Sequence, residues 1–302
     1  MKEHSSATLE APPVLSRTPA GLWWGLLGVL AFSFTVPFTR IAVGGFSPLL
    51  IGAGRAVVAA ALAAAALALT RQRRPTGTQW ARLAVVAGGV VAGFPLFTSY
   101  ALTATPASHG AVVIAILPAA TAVASVLRTR ERPPVAFWAA AGLGAVAAIA
   151  FASFNSEGFG GLGWPDLLLF AAVLAAAIGY AEGGLLSREL GPWQTISWAL
   201  VLASPVMVLA SASSLAAGLP RATATEWAAF GYLAVVSMFL GFFAWYRGLA
   251  LGPMAQVSQT QLAQPVLTLA WAALLLGEPL GWTTVAGGLA VIACTGLAVR
   301  RR

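Results

Sequence analysis

The chain has 302 residues, of which 59% are hydrophobic and only 9% charged, with a formal net charge of +8. A soluble domain carries about 25% charged residues, so this chain cannot cover a water-facing surface and the bilayer is its solvent. The basic residues sit in short loops between apolar runs, not in one stripe or tail, which argues against nucleic acid as a partner.

Residues 1–20 are polar and rich in Pro and Ser, and are expected to form a disordered tail. Apolar runs of spanning length follow, since a span needs roughly 20 mostly apolar residues. The first half yields Gly21–Val43, Ser47–Thr70, Ala81–Thr103, Ala107–Leu127 and Val135–Phe154. The first run lacks a small-residue cleavage site after it and reads as a retained span, not a signal peptide. A Gly-rich linker, residues 155–163, joins the halves. The second half yields Trp164–Ser187, Pro192–Ser214, Glu226–Leu249, Met254–Leu276 and Leu280–Val299, before a short basic tail at 300–302. The lone cysteine, Cys294, lies inside an apolar run and permits neither an internal disulfide nor a cysteine-based metal site.

Ten spans put both termini on one side. With that side cytoplasmic, all basic residues except Arg40, Arg55 and Arg221 fall inside. The positive-inside rule therefore predicts cytoplasmic termini. The dominance of Arg, with much Ala and Gly, suggests a bacterial chain from a GC-rich genome, and hence the inner membrane.

Landmarks recur at one offset. Pro106, Pro118 and Glu131 return as Pro253, Pro265 and Glu278, each 147 residues on, and Trp80/Trp227 and Gly44/Gly191 fit the same shift. A fixed offset over this length marks two copies of one unit, residues 21–154 and 164–299. Each copy has five spans, an odd number, so the second enters with opposite polarity. The fold class is all-α transmembrane, ten helices in two inverted five-helix repeats. Such folds place substrate near the midplane, between repeats.

Several short strings also point to a family. They are Trp24-Gly25, Arg55, Ala104-x-Pro106, Ile116-Leu117-Pro118 and Arg130-Glu131-Arg132, with Leu251-Gly252-Pro253, Gln264-Pro265 and Leu276-Gly277-Glu278-Pro279 in the second half. The layout resembles the drug/metabolite transporter (DMT) superfamily, EamA type. That resemblance implies a basket of ten helices around a central cavity. Members move amino acids, sugars, nucleotide sugars or drugs. The chain is most similar to members exporting aromatic and other neutral amino acids, so a small-molecule substrate of that kind is expected.

Pro118 and Pro265 sit near the middle of spans four and nine. Proline removes a backbone hydrogen bond, and lipid tolerates the break only where protein or water satisfies it. The pair reads as hinge or cavity wall, or else as plain kinks. Span nine carries Gln256, Ser258, Gln259, Thr260, Gln261 and Gln264, too many polar groups to face lipid. Gln256, Gln259 and Gln264 are candidate substrate contacts, with interhelical hydrogen bonding as the other reading. His109 is equivalent to Gln256; it would bind substrate or titrate, or be an exposed loop histidine. Tyr100, Trp164, Tyr180, Trp245 and Tyr246 are candidates for an aromatic cavity wall, or packing, as is Trp271. Charge at membrane depth is costly and turns inward. Arg55 would therefore meet a substrate carboxylate, although its place in the family pattern across unlike substrates favours a structural ion pair or carbonyl cap. Glu182 would couple protons, or pair with an arginine such as Arg247. Glu131 and Glu278, at helix ends, read as structural.

The expected function is a secondary transporter, facilitated and not proton-coupled, because no acidic dyad is evident. Proton-coupled drug efflux and a sugar-type carrier remain alternatives. No Walker-type phosphate loop is present, and no clustered nucleophile or metal ligands suggest an enzyme. No cofactor and no metal site are expected, and a monomer is.

Overall fold

The computed structural model describes residues 19–130, 134–155, 162–252, 257–258 and 260–300. Ten apolar helices follow one another among them. We label them α1 (Ala20–Ala42), α2 (Pro48–Leu69), α3 (Gly77–Ala101), α4 (Ala107–Thr129), α5 (Val135–Asn155), α6 (Trp164–Leu190), α7 (Pro192–Ala217), α8 (Ala224–Leu251), α9 (Thr260–Leu276) and α10 (Trp282–Arg300). Over the described residues, seven are long and apolar enough by themselves to cross a membrane. Large apolar side chains point outward, for example Leu143, Val146 and Ile149 on α5 and Val206, Val208 and Leu209 on α7. Lipid, not water, is the medium that suits such a surface.

The duplication is written into local geometry as well as sequence. Capping boxes open α3 and α8 at equivalent positions, Thr76/Gln79 and Thr223/Glu226. In each, the side chain three residues on accepts the cap's orphan amide, at 3.0 Å for Thr76 and 2.6 Å for Thr223. Both helices then widen into π-helical turns, Ala87–Gly93 and Leu233–Leu240. Pro95 lies just beyond the first π stretch, yet no proline accompanies the second. The wide turn therefore belongs to the repeat and not to a local proline. The helices α4 and α9 both end in the left-handed region, at Arg130 (φ 57°) and Gly277 (φ 65°). Glycine adopts that region freely, whereas arginine bears a cost of about 1 kcal/mol.

Packing follows the same two-fold pattern. The helix pairs α2·α7, α4·α9 and α5·α10 each join a helix to its own counterpart. The α1·α8 pair is mirrored by α6·α3. Both mirrored contacts need glycine, because backbones touch. A Cβ at Gly248 would lie 2.7 Å from the Gly25 nitrogen, and one at Gly179 would lie 3.2 Å from the Val90 nitrogen.

The repeats differ in their first helices. The helix α1 is broken at Phe34 into Pro19–Ser33 and Thr35–Ala42, whereas α6 runs unbroken. Backbone groups near the break find partners on the second repeat. The Ser33 carbonyl accepts from Thr268 Oγ1 at 2.9 Å, and the Ala31 carbonyl accepts from Tyr232 Oη at 3.0 Å. Trp271 donates its indole N–H to Ser33 Oγ at 3.0 Å and stacks on Phe34 at 4.5 Å. A break at membrane depth survives only with such replacements.

Candidate functional site

Two narrow clefts lie on the seam between repeats. The first sits where α4 and α9 cross. Both Pro118 and Pro265 line it, with Gln261, Gln264 and Thr268. The helix α4 is interrupted at Ala115–Ile116, just before Pro118, and α9 passes from a 3₁₀ turn, Thr260–Leu262, into α-helix just before Pro265. These are equivalent points. A proline cannot donate to the carbonyl four residues earlier, here Ile114 and Gln261, and both residues line the same cleft. Gln261 is 1% exposed, and neither atom of its side-chain amide has a hydrogen-bond partner among the described residues.

The second cleft shares the lining residues Val36 and Gln264 with the first. Both π-helical stretches reach it, through Val90 and through Ser237 and Met238. Widened turns of this kind recur at functional sites. The broken helix contributes Thr35, whose hydroxyl hydrogen-bonds that of Ser237 at 2.8 Å. Arg55 and Tyr180 also line it. Arg55 is 1% exposed, and its Nε and Nη1 have no hydrogen-bond partner among the described residues. Three aromatic rings line this cleft together: Phe32 and Phe242 lie 4.8 Å apart, and Tyr180 is 6.4 Å and 5.9 Å from them. Behind these rings, Trp245 Nε1 and Tyr246 Oη are buried without a partner among the described residues.

Ionic ties join the repeats beyond the clefts. At the arginine-rich end, the Glu182 carboxylate on α6 accepts from Arg82 Nε on α3 and from Arg128 Nε on α4, the latter at 2.6 Å. Arg82 also reaches Glu189 at 2.6 Å. At the opposite end, His109 Nε2 on α4 is 2.6 Å from Asp166 Oδ1 on α6. The other Asp166 oxygen accepts from the Gly163 amide at 2.9 Å, capping α6. There too, the Glu278 carboxylate accepts from the amides of Ala107 and Ser108, at 2.7 and 2.8 Å, capping α4 from across the seam. Helix N-termini favour such anions.

The sequence pattern of the EamA-like transporter family matches residues 19–153 and again residues 163–300. The chain belongs to the EamA-like transporter family. An uncharacterized transporter of Bacillus subtilis (strain 168), YdeK, is 42% identical over 294 residues, 95% of this chain and 99% of that one. A solved crystal structure with 20% identity covers 94% of this chain and 97% of its own, at a TM-score of 0.64, a likeness of fold alone. The protein is therefore a multi-pass membrane transporter of the drug/metabolite type.

In this EamA-like transporter, the residues singled out from sequence separate into groups. Tyr180, Gln264, Arg55, Pro118 and Pro265 line the clefts, and Trp245 and Tyr246 stand behind them. Tyr100 and Trp164 do not line either cleft: they are 40% and 55% exposed at helix ends, where amphipathic rings suit a membrane interface. Gln256 and Gln259, like Glu131, lie outside the described residues. His109 is no exposed loop histidine. It is buried, paired with Asp166 and packed against Phe151, and lines neither cleft. Trp271 braces the α1 break. Glu182 pairs with Arg82 and Arg128 and not with Arg247, whose guanidinium lies 5.0 Å over the Trp24 ring. Arg55 has no ion pair among the described residues, so of the ion pair and the carbonyl cap expected for it the ion pair is not found there. Asp166, Arg82 and Arg128 are the residues that sequence reasoning passed over. For Asp166 a signal existed in Gly163-Trp-Pro-Asp166, an acidic residue at the third position of a helix that begins Trp-Pro.

Proposed function

We propose that the protein is a secondary transporter exporting amino acids, aromatic and other neutral ones, or closely similar small metabolites, by alternating access and facilitated diffusion. The observation that carries this reading is a pair of neighbouring clefts lined jointly by both repeats, one of them lined by buried polar side chains together with aromatic rings. Sites of this kind bind small molecules. Substrate sits between the repeats near the midplane. Pro118 and Pro265, at the crossing of α4 and α9, serve as paired hinges. The Glu182 cluster and the His109–Asp166 pair close opposite ends, and releasing one while the other holds exposes the clefts to one side at a time. Both termini face the cytoplasm, with the arginine-rich end inward, in a bacterial inner membrane. The transporter works as a monomer.

Glu182 accepts hydrogen bonds from Arg82 and Arg128, which gives its carboxylate a structural role in tying α6 to α3 and α4. That favours facilitated over proton-coupled transport. The test is radiolabelled uptake of neutral amino acids into proteoliposomes, with and without a pH gradient. Saturable uptake in the absence of a gradient is expected. Uptake strictly dependent on the gradient would overturn the facilitated mechanism, and no uptake by folded protein under either condition would overturn the amino-acid assignment.

A further inference from the structure

Among the described residues, Arg55 is a cation without an anion. It projects from α2, is 1% exposed, and leaves Nε and Nη1 unpartnered among the described residues. The acidic residues among them are Asp166, Glu182, Glu189, Glu226 and Glu278, and each is engaged elsewhere. Asp166 holds His109 and the Gly163 amide. Glu182 and Glu189 hold Arg82. Glu226 caps α8, and Glu278 caps α4. A buried charge is retained only when something compensates it, and charged groups at membrane depth mark sites by default. The guanidinium fork matches a carboxylate bidentately.

We infer that Arg55 is the anion subsite of the second cleft and receives the carboxylate of the transported solute. The inference rests on the proposed transport function and names the chemical class its site takes. The rest of the cleft sets the remainder of the ligand. Phe32, Tyr180 and Phe242 line the same cleft as Arg55 and suit an apolar or aromatic group. Thr35 and Ser237 spend their hydroxyls on each other, and Arg55 is the charged donor among the residues lining that cleft, beside the neutral donors Tyr180 and Gln264. Among the residues lining it there is no carboxylate to bind an ammonium group. The carboxylate is thus the obligatory part of the ligand, and an amino group is secondary.

Three probes sharing one side chain test this: L-phenylalanine, L-phenylalaninamide and 3-phenylpropionate. Their affinities for the purified full-length protein are read from thermal-shift titration. The two carboxylates are expected to bind at least tenfold more tightly than the amide. Arg55→Met removes that discrimination, and Arg55→Lys retains part of it, because a point charge replaces the fork. Arg55→Met should also unfold at or above the wild-type temperature, since it removes an uncompensated buried charge; a merely structural arginine would give the opposite shift. Equal binding of acid and amide by the wild type overturns the inference without recourse to any variant, as does absence of binding by both carboxylates. An Arg55→Met protein that fails to fold or unfolds well below wild type also counts against it. Arg55-dependent binding of 3-phenylpropionate with no binding of phenylalanine keeps the anion subsite and overturns amino-acid export instead.

Discussion

Replacing Glu182 by Gln separates a structural carboxylate from a proton carrier. The side chain is 7% exposed and accepts from Arg82, 23% exposed, and from Arg128, 49% exposed. A hydrogen bond to a charged partner contributes about 1.5–3 kcal/mol when sheltered, whereas an exposed ion pair contributes about 0–1 kcal/mol. The Arg82 bond belongs near the lower end of the first range and the half-exposed Arg128 bond in the second. Glutamine keeps one acceptor oxygen but turns an amino group toward a guanidinium. The expected loss is about 2 kcal/mol. At about 2–4 °C per kcal/mol for a chain approaching this size, unfolding should move down by about 5 °C in detergent. Arg128→Gln should cost less than about 1 kcal/mol, and the double variant should show coupling between the sites of about 0.5–1 kcal/mol. Proteoliposome uptake by Glu182→Gln should persist without a pH gradient. An unchanged unfolding temperature together with abolished transport would refute this reasoning and make Glu182 a titrating coupling residue.

Two further outcomes follow from contacts between repeats. Glu278→Gln removes the charge that caps the amides of Ala107 and Ser108; a loss of about 1–2 kcal/mol is expected, read by thermal unfolding, and no loss would mean that water replaces the cap. Gly248→Leu drives a side chain into the backbone of Gly21 and Gly25, which cannot give way. Overpacking of this kind costs about 1–3 kcal/mol, and the upper end is expected here, with α1 displaced from α8 and uptake reduced; wild-type stability would show that the helices are not held at that distance.

Much of the architecture was legible because it follows from length and repetition. Apolar runs of about 20 residues leave few alternatives to spanning helices, and the 147-residue offset pairs Pro118 with Pro265 before any fold is known. Rotation about each helix axis was not legible. In a water-soluble helix the polar face declares which side turns outward, but here lipid and core are both apolar, so α6 carries apolar residues on every side. Tyr180 and Trp164 look alike as aromatics on one helix, yet one lines the cleft and the other is exposed. The same blindness hid the Glu182 partners. Arg247 shares the arginine-rich end, but α8 turns it toward Trp24, while α3 and α4 turn Arg82 and Arg128 inward.

The sequence by itself determined a helical membrane protein of two related halves, because burial in lipid demands helices and an odd number of spans per half inverts the copies. Only the tertiary structure decided which polar groups meet. Capping boxes, π turns and proline breaks are local and recur in both halves, but His109 finds Asp166, and Arg55 has no carboxylate partner among the described residues, through the packing of helices far apart in the chain. Such pairings depend on crossing positions and axial rotations, which inter-helix packing sets and local sequence does not.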